Sequence, residues 1–362
     1  MASVRVPLTC VLIAATHAAV AASSYELALV RGFANPEDVE IVPGIGALLV
    51  SEMGFGAPLS GGGLAAVPWS AESGPSDGPQ RLWPSDDALV PTRRMGDPSC
   101  TQSPDPAAFS AHGLSVADTT SARPLVAVVG HGAREAIEYF EVDRVGPGLR
   151  ARWVGCVPLP RAAAGNDLVV ASDGALLVTN YIPTVHGLRA WIWLQIASLG
   201  WSTGDVLSWR PSEGWSAVPQ SRGAMPNGIL RLDGQTYVAY NGAREIVSLP
   251  GKGNPTRRSL PMSGAPDNLS AGPHGTILVV LLDPSSRGAW SVASIDASLG
   301  RSETLYVHDG SRLRSATSVV FDGHRYVLGS MEGDAIGVLI LTHAAQQGAA
   351  ADRQGPGSDQ PR

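Results

Sequence analysis

The sequence predicts an all-β fold, a six-bladed β-propeller, and three observations carry that reading. Turn-then-strand units recur along the chain: Pro43-Gly44 before 47–50, Ser172-Asp173-Gly174 before 175–179, Asp233-Gly234 before 235–239, Pro273-His274-Gly275 before 276–281, and Asp322-Gly323 before 324–329. The apolar run 124–129 adds another strand. Asp-Gly and similar pairs supply the positive φ that tight hairpins need. Units of four strands at about 40 to 60 residues mark a propeller, and about six of them fit this length. The second observation is composition: 42 Gly and 28 Pro with little sustained helical periodicity point to strands joined by many turns. The third is size, since 362 residues at 44% hydrophobic content bury a large core. A large β-sandwich is the competing fold.

The chain opens on a basic start and an apolar run, Val6 to Val20, followed by Ala19-Val20-Ala21. This is the pattern of a secretory signal peptide over residues 1–21, and it implies a secreted or periplasmic protein. The run is short for a membrane span. Export leaves Cys100 and Cys156 in the mature chain, and an oxidising compartment pairs them. A single propeller over residues 25–343 is expected, carrying a Gly/Pro/Ser-rich insertion of little periodicity at 53–110. Residues 185–201 form the one strongly apolar, helix-like stretch, crowded by Trp191, Trp193 and Trp201. Its plain reading is a helix packed on the propeller. The sharper readings are a lid over the channel, or a patch touching lipid or apolar substrate through Trp191 and Trp193. Residues 344–362 read as a disordered tail. A formal net charge of −6 and a pI of about 5.7 leave no electrostatic footprint for nucleic acid.

Four distant stretches share a carboxylate or carboxamide where a strand begins or ends: Pro36-Glu37-Asp38, Gly165-Asn166-Asp167, Pro226-Asn227-Gly228 and Pro266-Asp267-Asn268. Glu, Asp and Asn offer hard oxygens, and Ca²⁺ takes about six to eight of them. No segment has the acidic loop of an EF-hand, so a site would have to be assembled by the fold. Taken singly, each of these residues reads as an ordinary turn cap.

With those motifs, the chain resembles the calcium-dependent six-bladed propellers of the paraoxonase/arylesterase family and the wider gluconolactonase and strictosidine-synthase-like group. The similarity runs from about Phe33 to Leu341. Pro36-Glu37-Asp38-Val39-Glu40 resembles the first-blade Glu-Asp motif, and Ala111-His112-Gly113-Leu114 the motif holding the family's catalytic histidine. Gly130-His131 with Ile137-Glu138-Tyr139-Phe140 resembles the segment of the second histidine, although its flanking residues depart from the family pattern. The resemblance implies two calcium ions in the central channel. A catalytic one would take Glu37, Asn166, Asn227, Asp267 and Asn268. A structural one would take Asp38, Asp167 and the backbone carbonyl of Leu114. Three carboxamides and two carboxylates suit Ca²⁺ and not Zn²⁺, which favours nitrogen and sulfur.

The implied activity is hydrolysis of lactones or aryl esters, with Ca²⁺ polarising the carbonyl. His112 would be the general base that deprotonates water, and His131 would stand behind it as relay. The alternative is a non-catalytic propeller with structural calcium that binds a small molecule or protein. Two further motifs carry less. Gly200-Trp201-Ser202-Thr203-Gly204 fits the G-x-S-x-G elbow, but the helix-like stretch precedes it and the strand follows, the reverse of what the elbow needs. Asn268-Leu269-Ser270 matches a glycosylation sequon, where a glycan would block the expected ligand. Natural substrate and oligomeric state are not legible.

Overall fold

Six sheets, antiparallel but for one two-residue edge strand, stand around one axis in the computed structural model, each begun by an inner strand. The structure describes residues 25–342 apart from 57–58, 86–93, 147, 172–173, 184–187 and 252–254. The expected signal peptide at 1–21 and tail at 344–362 lie outside the described residues. The inner strands, in order, are Pro36–Val42, Ser110–Val116, Gly165–Val170, Pro226–Leu232, Ala265–Ala271 and Arg314–Phe321. Each packs against the next, and the sixth packs against the first, so the ring is closed. We call the sheets blades one to six in this order.

Closure uses the two ends of the described chain. Tyr25–Arg31 pairs antiparallel with Ala335–Leu341 as the outermost strand of blade six, so its first and last strands come from opposite termini. Closing the ring in this way leaves only short sheet edges and makes the blades one cooperative body. The core lies between blades, in layers of β-branched and aliphatic side chains such as Val39, Leu48, Val50 and Val67 against Val327, Ile336 and Val338.

The stretch 53–110 corrects the expectation of an aperiodic insertion. Gly63–Ser70 is the third strand of blade one, and Gln80–Trp83 pairs with it. Met95–Gly96 runs parallel to the edge of Gly148–Pro158 in blade two. The apolar run Leu64-Ala65-Ala66-Val67 is wholly buried, and a strand buried on both faces shows no alternation to read. Its Gly and Pro neighbours hid it. Cys100 and Cys156 are disulfide-bonded, Cα atoms 5.6 Å apart, which staples the loop after Met95–Gly96 to that edge.

The apolar stretch forms an α-helix at Leu188–Ser198, between Leu176–Asn180 and Asp205–Arg210 of blade three. Residues 185–187 of the expected lid fall outside the described residues. The buried Ala197 seats the helix, its carbonyl oxygen close beside Gly242. Trp191, Leu199 and Trp201 are more than half exposed. The helix sits at the end of the ring where the inner strands begin.

Candidate functional site

All six inner strands break register with their neighbours near their first residues. The shifts fall between Pro36 and Asp38, Ala111 and Leu114, Gly165 and Leu168, Pro226 and Ile229, Pro266 and Leu269, and Ala316 and Val319. A bulge leaves residues unpaired and re-aims their side chains. Aligned on the aliphatic residue that follows, the bulges stack two rings around the axis. The upper ring is Glu37, His112, Asn166, Asn227, Asp267 and Thr317; the lower ring is Asp38, Gly113, Asp167, Gly228, Asn268 and Ser318. The expected side-chain ligands therefore occupy two adjacent repeated positions of the fold, Glu37, Asn166, Asn227 and Asp267 in the upper ring and Asp38, Asp167 and Asn268 in the lower.

The sixth blade's pair, Thr317 and Ser318, escaped the sequence reading. Both hydroxyls donate to the backbone oxygen of Glu37, at 2.6 and 2.9 Å, and so tie the last blade to the first. The signal was there, since Ala-Thr-Ser-Val at 316–319 repeats the small–polar–polar–aliphatic pattern of Pro-Asp-Asn-Leu at 266–269. The glycines of the lower ring have their own cause. A Cβ on Gly113 would lie 2.6 Å from Asp167 Oδ1, and one on Gly228 would lie 2.5 Å from the Asp267 carbonyl oxygen. The next blade's backbone and carboxylate fill that space.

The upper ring, joined by Asn268 of the lower, converges through direct contacts. Asn268 Nδ2 donates to Glu37 Oε1 at 3.1 Å, and Asn227 hydrogen-bonds the Asp267 carboxylate. Asn166 Nδ2 lies 3.4 Å from His112 Nε2, and that nitrogen lies 3.6 Å from Glu37 Oε1. Each carboxamide thus spends its N–H on a neighbour within the set. What is left over is oxygen: Glu37 Oε2, Asn166 Oδ1, Asn227 Oδ1, Asp267 Oδ2 and Asn268 Oδ1 are all buried with no hydrogen-bond partner. Buried polar atoms are nearly always satisfied, so five orphans in one set of residues make this a candidate cation site. Among the described residues no three His, Cys, Asp or Glu side chains form a metal cluster on their own. The donor set depends on its carboxamides, which is the chemistry of a hard, oxygen-preferring ion.

Asp38 and Asp167 behave differently. Asp38 accepts from the backbone N–H of Val39 and of Leu114, and Asp167 from those of Leu168 and Ile229. Leu114 meets Asp38 through its N–H. These two carboxylates stitch blade one to blade two and blade three to blade four, and face a cavity of about 460 Å³ that runs down the axis, past Ile229 and Ser318 towards Pro43 and Thr119. That cavity lies below the rings, on the side away from the histidines.

Burial dominates the electrostatics. It raises Glu37 and Asp167 well above the usual carboxylate range, with neighbouring aspartates adding to the effect. It pushes Asp267 up to about 8 and Asp38 to about 6. Burial, and then His131, hold His112 down to about 3, so that ring is neutral at any working pH. His112 keeps about a fifth of its side chain exposed, at the mouth above the ring. Its Nδ1 is 3.1 Å from His131 Nε2, and His131 Nδ1 is 2.6 Å from Glu135 Oε2. The structure thus brings both expected histidines together. Glu135 was not read from the sequence, and its place four residues after His131 was the available signal. Ser202 is exposed with no strand before it, so the elbow motif does not form one. Asn268 is buried, which removes it as a glycan acceptor.

No family model and no curated protein matches the chain. Solved structures do match in fold. A gluconolactonase from Xanthomonas campestris is similar over 88% of this chain and 90% of its own, at 17% identity and a TM-score of 0.51. An inactive variant of virginiamycin B lyase from Staphylococcus aureus, determined with quinupristin, is similar over 88% of this chain and 100% of its own, at 11% identity and a TM-score of 0.51. At such identities the likeness establishes the six-bladed propeller.

Proposed function

We propose that this protein is a calcium-dependent hydrolase of lactones or aryl esters. The observation that carries the reading is the set of five orphaned, buried oxygens beside a neutral histidine at the mouth of the ring. Glu37, Asn166, Asn227, Asp267 and Asn268 would hold the ion. When bound, Ca²⁺ supplies a positive charge that polarises a substrate carbonyl. The second ion is proposed at Asp38 and Asp167, where it would use the lone pairs left by the backbone donors; metal analysis giving one or two equivalents decides between the one-ion and two-ion forms. That the solved neighbours include a gluconolactonase agrees with a lactone substrate.

The chain's own residues divide the remaining work. Asn166 Nδ2 holds His112 Nε2 from one side, and Glu37 Oε1 lies 3.6 Å away on the other. Held neutral by burial, that nitrogen keeps a lone pair that can accept a proton from an attacking water. His131, behind it, takes the proton onward. The helix Leu188–Ser198 and the turn after it, on the same end of the ring, present Trp191 and Trp201 to solvent, and we propose this stretch as a partial lid that an apolar substrate or a lipid surface would touch. A secreted or periplasmic setting fits the disulfide, because such bonds persist where the compartment oxidises.

The test is turnover of phenyl acetate and a lactone panel, with and without chelator, for wild type and His112→Gln. Calcium-dependent turnover that falls about 10²- to 10⁴-fold in His112→Gln is expected, the range for loss of a general base. Stoichiometric calcium with no turnover on any substrate would favour the non-catalytic binding propeller.

A further inference from the structure

The contact chain that starts at His112 does not stop at His131. His131 ends the strand Leu125–His131, and the next strand begins at Ala136, so residues 132–135 form a tight hairpin. Gly132 sits at φ 116°, and a Cβ there would come within 1.9 Å of the Ala108 carbonyl oxygen, so this turn admits no side chain. The hairpin folds Glu135 back onto the ring of His131, 2.6 Å from Nδ1. Arg134 does not compete for it, because Nε and Nη2 hold the two oxygens of Glu138 at 2.8 and 2.9 Å. A cleft of about 260 Å³, lined by Gln102, Asp105, Phe109 and Arg134, opens beside His131 and brings solvent to this end.

We infer that Glu135 is a positioning residue for the hydrolysis proposed above: its carboxylate fixes the tautomer of His131 and, through it, turns the lone pair of His112 Nε2 towards the oxygen ring. The inference rests on that functional reading for its catalytic part alone. An ionised carboxylate can only accept, so the proton shared with Glu135 sits on His131 Nδ1. A neutral imidazole has one donor and one acceptor nitrogen, which makes His131 Nε2 the acceptor and His112 Nδ1 the donor across their 3.1 Å contact. His112 Nε2 is then left with its lone pair, and it meets the Nδ2 donor of Asn166 at 3.4 Å. The same assignment leaves Asn166 Oδ1 free, as observed. Reversed, the chain would put a proton on the very nitrogen that has to take one from water.

The proton balance closes along this path. His112 Nε2 takes a proton from water as the water oxygen bonds to the carbonyl carbon, and the π pair moves onto the carbonyl oxygen. The Nδ1 proton of His112 passes to His131 Nε2, and the imidazolium so formed keeps its Nδ1 proton, hydrogen-bonded to the Glu135 carboxylate. When the bond to the alcohol oxygen breaks, that oxygen takes a proton back along the same path in reverse. Ester plus water gives acid plus alcohol, with no other reactant.

The experiment compares wild type, Glu135→Gln and Glu135→Leu by ¹⁵N NMR of the imidazoles and by steady-state kinetics. Glu135 is partly exposed in a hairpin, so both variants fold; unchanged melting temperatures check this. Wild type is expected to show His131 protonated at Nδ1, Glu135→Gln to retain that tautomer through its amide oxygen, and Glu135→Leu to lose it. In Glu135→Leu, kcat falls about 10- to 100-fold with KM within about threefold, as when other residues that orient an active-site histidine are removed, and Glu135→Gln recovers most of it. Unchanged tautomers in folded Glu135→Leu, or unchanged kcat in an active enzyme, overturn the inference. The NMR readout needs no substrate. A tautomer switch in a protein that hydrolyses nothing upholds the positioning role and removes the hydrolase reading alone.

Discussion

Stripping metal from the protein and adding calcium back gives the most direct measure of the oxygen ring. Five buried oxygens lack partners, and each such atom costs about 1–3 kcal/mol. Together they set a penalty comparable in scale to the whole stability of a domain, roughly 5–15 kcal/mol. An ion that meets them binds the folded state alone, so it stabilises by mass action. For a Kd of about 1 µM, in the range of protein calcium sites, 1 mM Ca²⁺ contributes about 4 kcal/mol. Unfolding entropy of about 2.1 cal/mol/K per residue over roughly 320 residues gives about 0.7 kcal/mol/K, so the melting temperature rises by about 6 °C. Asn227→Leu removes one oxygen of the five; a 10- to 100-fold weaker site would cut the gain to about 2–4 °C. Calorimetry of chelator-treated protein with graded Ca²⁺, alongside isothermal titration, provides the assay. A melting temperature indifferent to 1 mM Ca²⁺, with no binding heat, would refute the reasoning, because the orphaned oxygens would then be answered by something other than this ion.

Two other outcomes follow from the same structure. Asp38 and Asp267 are raised to about 6 and about 8, so the metal-free folded state holds protons that the unfolded chain has already lost. Stability of chelated protein should therefore fall as pH rises from about 4 towards 8, by about 1.4 kcal/mol per pH unit for each extra proton held, and calcium should flatten the slope. Denaturant midpoints across that range, with and without calcium, check the sign; a metal-free protein that gains stability up to pH 8 would show the carboxylates to be ordinary. The disulfide closes a separation of 56 residues, for which chain entropy gives about 4 kcal/mol, so Cys100→Ala/Cys156→Ala should lose about that much in urea unfolding. A loss below about 1 kcal/mol would mean the staple constrains little.

The oxygen ring was legible because each member is announced locally. Pro36-Glu37-Asp38, Gly165-Asn166-Asp167, Pro226-Asn227-Gly228 and Pro266-Asp267-Asn268 all begin inner strands, and all fall in the same bulge. Thr317 and Ser318 belong to that series and were missed, since a Thr-Ser pair carries no metal-ligand character to draw the eye. The Gly63–Ser70 strand was missed for the opposite reason: a buried apolar run between glycines lacks the alternation that marks a half-exposed strand.

Turn chemistry, ordered polar pairs and a pair of cysteines are local or countable properties, so the amino-acid order alone determined the propeller, the candidate donors and the disulfide partners. Whether an oxygen ends up bonded or bare depends on which backbone N–H the neighbouring blade brings within about 3 Å. Tertiary structure alone therefore decided that Asp38 and Asp167 accept backbone N–H groups while Glu37, Asp267 and three carboxamides keep oxygens in reserve. It also decided that Glu135 stands behind both histidines, because a hairpin and a blade contact, far from each other in type, had to meet at His131.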